Sequence, residues 1–129
     1  MIIGLGSDII EIERLQKVVN AHGEHFLTRV FTERELLTWG GVANWSYLAG
    51  RWAGKEAAAK ALGCGIGENC AWLDLEILRN ENGAPKLYFK GSAATTAEKL
   101  GVQRVHITIS HERSYAIASV ILEGEALKL

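Results

Sequence analysis

From Arg51 to Leu62 the chain reads Arg-Trp-Ala-Gly-Lys-Glu-Ala-Ala-Ala-Lys-Ala-Leu, and Gly63, Gly65 and Gly67 follow directly. Alanine is the strongest helix former and glycine the commonest helix ending, so the stretch predicts a helix with a defined exit. Side chains three and four positions apart share a helix face, which groups Ala49, Ala53, Glu56 and Lys60. A face paved with alanine admits close approach by another chain segment or by a ligand, and one acid and one base project from it. Arg51, Lys55 and Lys60 are three cations within ten residues, enough to hold a polyanion beside a carboxylate. The same residues also suit a plain surface helix with one i,i+4 Glu–Lys pair, worth about 0.2–0.5 kcal/mol. Gly54 inside the helix costs about 1 kcal/mol relative to alanine, which points to close packing there.

Around this helix the pattern is that of an α+β domain. Ile2 to Leu5 is a short apolar strand. Ile9, Ile10, Ile12, Leu15, Val18 and Val19 recur at helical spacing, which predicts an amphipathic helix opening just after Asp8, capped by Ser7 or Asp8. Thr32 and Glu35 form a capping box for a short helix ending near Gly40 and Gly41, a structural role sufficient for both. Asn44 is the expected cap of the long helix. Trp72 to Leu78 and Lys86 to Lys90 read as strands of a hairpin joined through Asn80–Pro85. A helix capped by Ser92 and ended by Gly101 follows, then strands at Val105–Ser110 and Tyr115–Leu122. The expected fold is one domain, residues 1–129, with helices packed on one face of a largely antiparallel sheet.

Composition removes several classes of function. A net charge of −1 gives no global attraction to nucleic acid or to an anionic membrane, so any anion site is local. No segment reaches membrane-spanning length, and the start lacks the basic head and apolar run of a secretory signal. Cys64 and Cys70 stand alone, which fits neither a disulfide framework nor a zinc site and favours a reduced, cytoplasmic setting. The glycines after Leu62 follow a helix, whereas phosphate-binding fingerprints lead from a strand into one. His106 and His111 fall on opposite faces of a continued strand, so they are not a metal pair. Ser110 and His111 lack a third member for nucleophilic catalysis and suit donation to an anion better. Two acids far apart in sequence, Asp8 and Glu56, with Lys60 one turn beyond, would suit Mg²⁺ and phosphate chemistry.

The residues resemble a known family in order and register. Gly4-Leu5-Gly6-Ser7-Asp8-Ile9 with Arg14, Phe31-Thr32 to Glu35, and Arg51 through Gly63 are similar to the 4′-phosphopantetheinyl transferases. Asn82-Gly83-Ala84-Pro85, Val105 to His111 and Tyr115-Ala116 continue the likeness nearly end to end. Trp52 and Gly54 stand where the family more often has phenylalanine and alanine. The resemblance implies transfer of phosphopantetheine from coenzyme A to a serine of apo-acyl carrier protein, releasing adenosine 3′,5′-bisphosphate. It implies that Asp8 and Glu56 bind Mg²⁺, and that Lys60 contacts the transferring phosphate. Glu56 or a metal-bound water would take the serine proton. Arg51, Ser110 and His111 would hold the coenzyme's phosphates and nucleotide, while Arg14 and Lys17 on the first helix would receive the carrier. A single copy of the fold matches the short type, a homotrimer with sites between subunits, in which His111 serves the neighbour's site. A non-catalytic coenzyme A-binding subunit and a structural interaction module are the alternatives the residue types leave open.

Overall fold

A computed structural model describes residues 1–125. In chain order the elements are β1 (Ile2–Glu11), α1 (Ile12–Val30), α2 (Glu33–Trp39) and α3 (Trp45–Ala61). A 3₁₀ turn at Trp72–Asp74 precedes β2 (Leu75–Arg79), β3 (Pro85–Phe89), α4 (Gly91–Leu100), β4 (Val102–His111) and β5 (Tyr115–Gly124). The strands form two antiparallel sheets, one ordered β1-β5-β4 and the other the β2-β3 hairpin. The α+β, antiparallel expectation holds, with the hairpin as a separate sheet.

The contact between β1 and α3 organises the domain. Along a strand alternate residues share a face, and Gly4, Gly6, Asp8 and Ile10 make up the face of β1 turned to α3. A Cβ added at Gly6 would lie 2.0 Å from the Ala57 carbonyl oxygen, and one at Gly4 2.0 Å from that of Ala61. Only glycine lets the strand lie this close to the helix backbone. Ala49, Ala53, Ala57 and Ala61 are all buried, so the low alanine face receives the sheet. Gly54 packs as expected: a Cβ there would meet Ile77 Cδ1 at 2.6 Å and Ile107 Cδ1 at 3.3 Å.

Several local expectations are corrected. The first helix opens at Ile12 rather than after Asp8, because β1 continues pairing with β5 through Asp8–Ala118, Ile9–Ile117 and Ile10–Ala116. The β-branched pair Ile9-Ile10 suits that extended backbone. Neither Ser7 nor Asp8 therefore caps α1; the Ile12 amide donates instead to Ser114 O at 2.8 Å. Asn44 precedes α3 without a side-chain cap bond and accepts from Ser46 Oγ at 3.0 Å. Ser92 lies inside α4 and donates through its amide to Asp74 Oδ2 at 3.1 Å. Trp72 belongs to the 3₁₀ turn, not to a strand.

The largest correction concerns Lys55, which is not a free cation of α3. It is fully buried and donates to Glu35 Oε1 at 2.6 Å, Leu75 O at 2.7 Å and Val30 O at 2.8 Å. Glu35, also fully buried, keeps its capping-box bond from the Thr32 amide at 2.8 Å and accepts from the Ile77 amide at 2.9 Å. One ion pair thus ties α1, α2, α3 and β2 together. Burial lowers the lysine pKa, and the adjacent Glu35 works in the opposite direction.

Candidate active site

Asp8 is the next inward residue of β1 after Gly6, so the close β1–α3 packing delivers its carboxylate to the last turns of α3. There Asp8, Glu56, Lys60 and Arg14 line one pocket of about 200 Å³, with Ile10 and Trp52 as its apolar walls. Lys60 Nζ donates to Asp8 Oδ1 at 2.9 Å and to Ser7 O at 3.1 Å. The bond to Asp8 raises the Lys60 pKa, with the charges of Asp8 and Glu56 acting in the same direction. Glu56 has no hydrogen-bond or ion-pair partner among the described residues. Burial raises its pKa, the neighbouring Asp8 charge adds to the effect, and Lys60 and Arg14 oppose it.

This donor set fits a hard divalent cation. Two carboxylates face one small pocket, and one of them lacks any donor. Among the described residues no group of three or more His, Cys, Asp or Glu side chains gathers, which excludes an all-protein cage there. Mg²⁺ commonly takes one or two carboxylates and completes its shell with water and substrate phosphate.

The structure brings together four of the expected residues and leaves four outside. Arg14 stands over the Trp52 ring at 5.9 Å from its centroid and belongs to the pocket. Lys17, one turn further along α1, is exposed, pairs with Glu13 at 3.2 Å and lines a separate groove with Gln16 and Arg113. Arg51 is buried, its guanidinium stacked 4.1 Å from the centroid of the Tyr47 ring. His111 shares a row with Ala116 and Ile10 on the inner sheet face, two strands from β1 and so about 10 Å from it. Ser110 points to the opposite face, in a row with Ile117 and Ile9. Trp52 was not expected as a pocket wall. Its signal was present, since position 52 lies four before Glu56 and so on the same side of the helix. The spacing of Gly4 and Gly6 facing an alanine-rich helix was equally legible as a close-contact signature.

Residues 4–120 match the family model of the 4′-phosphopantetheinyl transferase superfamily. A holo-[acyl-carrier-protein] synthase of Shewanella baltica is 47% identical over 125 residues, which span 96% of this chain and 98% of that one. The crystal structure of holo-[acyl-carrier-protein] synthase from Neisseria meningitidis superimposes with a TM-score of 0.88 at 32% identity, covering 95% of this chain and 99% of that one. The holo-(acyl-carrier-protein) synthase of Bacillus anthracis, in complex with CoA (3′,5′-ADP), gives a TM-score of 0.81 at 35% identity, covering 97% and 99%. With a family match across most of its length and nearly full-length relatives well above 30% identity, the chain belongs to the 4′-phosphopantetheinyl transferase superfamily.

Proposed function

We propose that this chain is a holo-[acyl-carrier-protein] synthase, transferring 4′-phosphopantetheine from coenzyme A to a serine of apo-acyl carrier protein. The observation that carries the reading is the convergence of Asp8, Glu56 and Lys60, drawn from elements far apart in sequence, on one pocket. In the reaction the serine Oγ bonds to the phosphorus adjoining pantetheine. The bridging P–O bond breaks toward adenosine 3′,5′-bisphosphate. Asp8 and Glu56 would hold Mg²⁺, which when bound supplies Lewis-acid neutralisation of pyrophosphate charge. Lys60 exchanges its bond to Asp8 for one to the transferring phosphate and offsets the charge that grows on the leaving oxygen. Glu56, or a water between it and the serine, would take the serine proton in this reading. Arg14, beside the pocket, with Lys17 one turn away, would meet the incoming carrier.

A trimer is part of the proposal. The outer face of the β1-β5-β4 sheet exposes Leu5, Ile9, Tyr115 and Ile117. Such a contiguous apolar face is normally covered. Ser110 lies in the Ile9–Ile117 row, so packing of copies on this face would place Ser110 at the contact between them. The two free thiols suit a cytoplasmic setting. The test is incubation of the protein with apo-acyl carrier protein, coenzyme A and Mg²⁺, read by the mass of the carrier. Gain of one phosphopantetheinyl group, dependent on Mg²⁺, supports the reading. An unmodified carrier sinks it.

A further inference from the structure

Cys64 and Cys70 are six residues apart with no second pair in the sequence, and the fold makes them a pair of their own. Beyond α3 the chain reverses: the Gly67 amide donates to Cys70 O at 3.0 Å and the Cys70 amide to Gly67 O at 3.2 Å. Cys70 is buried in the core, whereas Cys64 is exposed. Their thiols are neighbours, with Cys64 acting on Cys70 both through its charge and as a side-chain hydrogen-bond partner. Burial, with Cys64 adding to it, pushes the Cys70 thiol up to about 12. Between the two, a Cβ at Gly65 or Gly67 would meet nothing within 4 Å, so the connecting segment has room to adjust.

Cys64 also lines a pocket of about 280 Å³ with Asn69, Thr96, Lys99 and Leu100. The Lys99 ammonium forms no ion pair among the described residues. An exposed thiol beside a small pocket and an unpaired cation suits a small disulfide that carries carboxylates. None of these residues lines the Asp8–Glu56–Lys60 pocket, so the phosphate chemistry leaves this site unused.

We propose that Cys64 and Cys70 are a reversible dithiol–disulfide switch, oxidised by low-molecular-weight disulfides that bear carboxylates. Cys64 gives its proton to water and, as the thiolate, attacks one sulfur of the incoming disulfide. That S–S bond breaks; one half leaves as a thiolate and the other stays on Cys64. The charge and hydrogen bond of Cys64 then no longer hold the proton on Cys70. Cys70 ionises, attacks Cys64 Sγ and expels the second thiolate. Two protein thiols are oxidised, and one external disulfide is reduced to two thiols. The closed loop hangs on the last turn of α3, where the Gly63 amide donates to Lys60 O at 3.0 Å and the Gly65 amide to Ala59 O at 3.1 Å. Drawing Cys64 toward the core therefore pulls on the turn that carries Lys60. On the transferase reading this slows transfer, since a displacement of about 1 Å at a catalytic group costs up to about a hundredfold.

The experiment incubates the reduced protein with glutathione disulfide, alkylates it with N-ethylmaleimide and weighs it by mass spectrometry. Wild type should lose two hydrogen atoms, take up no maleimide and retain no glutathione, and dithiothreitol should restore both thiols. Cys70→Ala should stop with one glutathione on Cys64. Cys64→Ser, which keeps only the buried thiol, should stay unmodified. Transfer from coenzyme A by oxidised wild type should be roughly a few-fold slower and recover with dithiothreitol, while Cys64→Ser is insensitive to the oxidant. The pair is overturned if wild type keeps glutathione on Cys64 with Cys70 free, links one chain to another, or keeps both thiols. A disulfide that forms with transfer unchanged overturns the coupling to Lys60. If the disulfide forms and neither redox state transfers, the pair stands and the transferase reading fails.

Discussion

Lys60 and Asp8, 52 residues apart, meet as an ion pair of 2.9 Å that joins the end of α3 to the middle of β1. Lys60 is bonded to Asp8 alone, which leaves Glu56 without a donor among the described residues. Lys60 is half-exposed, so the bond itself adds little to stability. Its replacement by alanine should leave the fold intact and raise Mg²⁺ affinity a few-fold in the absence of coenzyme, because two carboxylates then lack a competing cation. Calorimetric Mg²⁺ titration of Lys60→Ala against wild type checks this; weaker binding by the variant would contradict it.

Glu56 makes a prediction about pH. Burial and the Asp8 charge both favour its protonated form. Its folded pKa is thus above that of an exposed glutamate, about 4.3. For an acid the sign is clear: the ionised side chain is a cost to the fold above the raised pKa, relieved as pH falls through it. In the metal-free protein, carboxyl NMR should show Glu56 titrating above the ordinary value, and Asp8→Asn should lower the midpoint. A midpoint unmoved by Asp8→Asn contradicts the account. By the same sign, Glu56→Gln should be at least as stable as wild type at pH 7.

The buried pair Glu35–Lys55 predicts a different response. Lys55→Met leaves a buried carboxylate without its cation and should cost about 3–5 kcal/mol in denaturant unfolding. The double variant Glu35→Met, Lys55→Met removes both charges and should recover much of that loss. Equal destabilisation by single and double variants would show that the lost backbone bonds, not the orphaned charge, dominate.

Two glycines separate backbone from side-chain packing. A methyl at Gly6 runs into the Ala57 carbonyl oxygen, which cannot move without shifting α3. Gly6→Ala should therefore cost at least 2–3 kcal/mol, roughly the range for overpacking, and displace Asp8 from Lys60. A methyl at Gly54 meets the tip of Ile77, and the helix gains about 1 kcal/mol from alanine, so Gly54→Ala should be near neutral. Comparable losses in the two variants would contradict the close β1–α3 contact.

The outer sheet face makes an assembly prediction. Ile9→Glu places a charge on an exposed apolar row beside Ile117. By light scattering, wild type should run at the mass of three 14.1 kDa chains and the variant as one. A monomeric wild type would remove the trimer from the account.

Much of this architecture was legible because period and composition agree at α3, at the Thr32–Glu35 box, and at the Asn80–Pro85 hairpin. The start of α1 was not. Ile9 and Ile10 satisfy helical and strand spacing equally, and only the partner strand β5 decides between them. Lys55 was misplaced for a related reason: spacing puts it on α3, but nothing local reveals that Glu35, twenty residues earlier, supplies a buried counter-charge. Asp8, Glu56 and Lys60 were visible as a chemical set, while their convergence depends on Gly6, whose role appears only when β1 lies on α3.

The central claim is that Asp8, Glu56 and Lys60 act as one phosphate-transfer site. The most direct test is the rate of carrier modification from coenzyme A across an Mg²⁺ titration, for wild type, Asp8→Asn, Glu56→Gln and Lys60→Ala, each checked for native circular dichroism. The account predicts Mg²⁺-dependent transfer by wild type and a loss of at least about a hundredfold in each variant, on the scale of removing one transition-state contact. Near-normal transfer by folded Glu56→Gln or Lys60→Ala would contradict it.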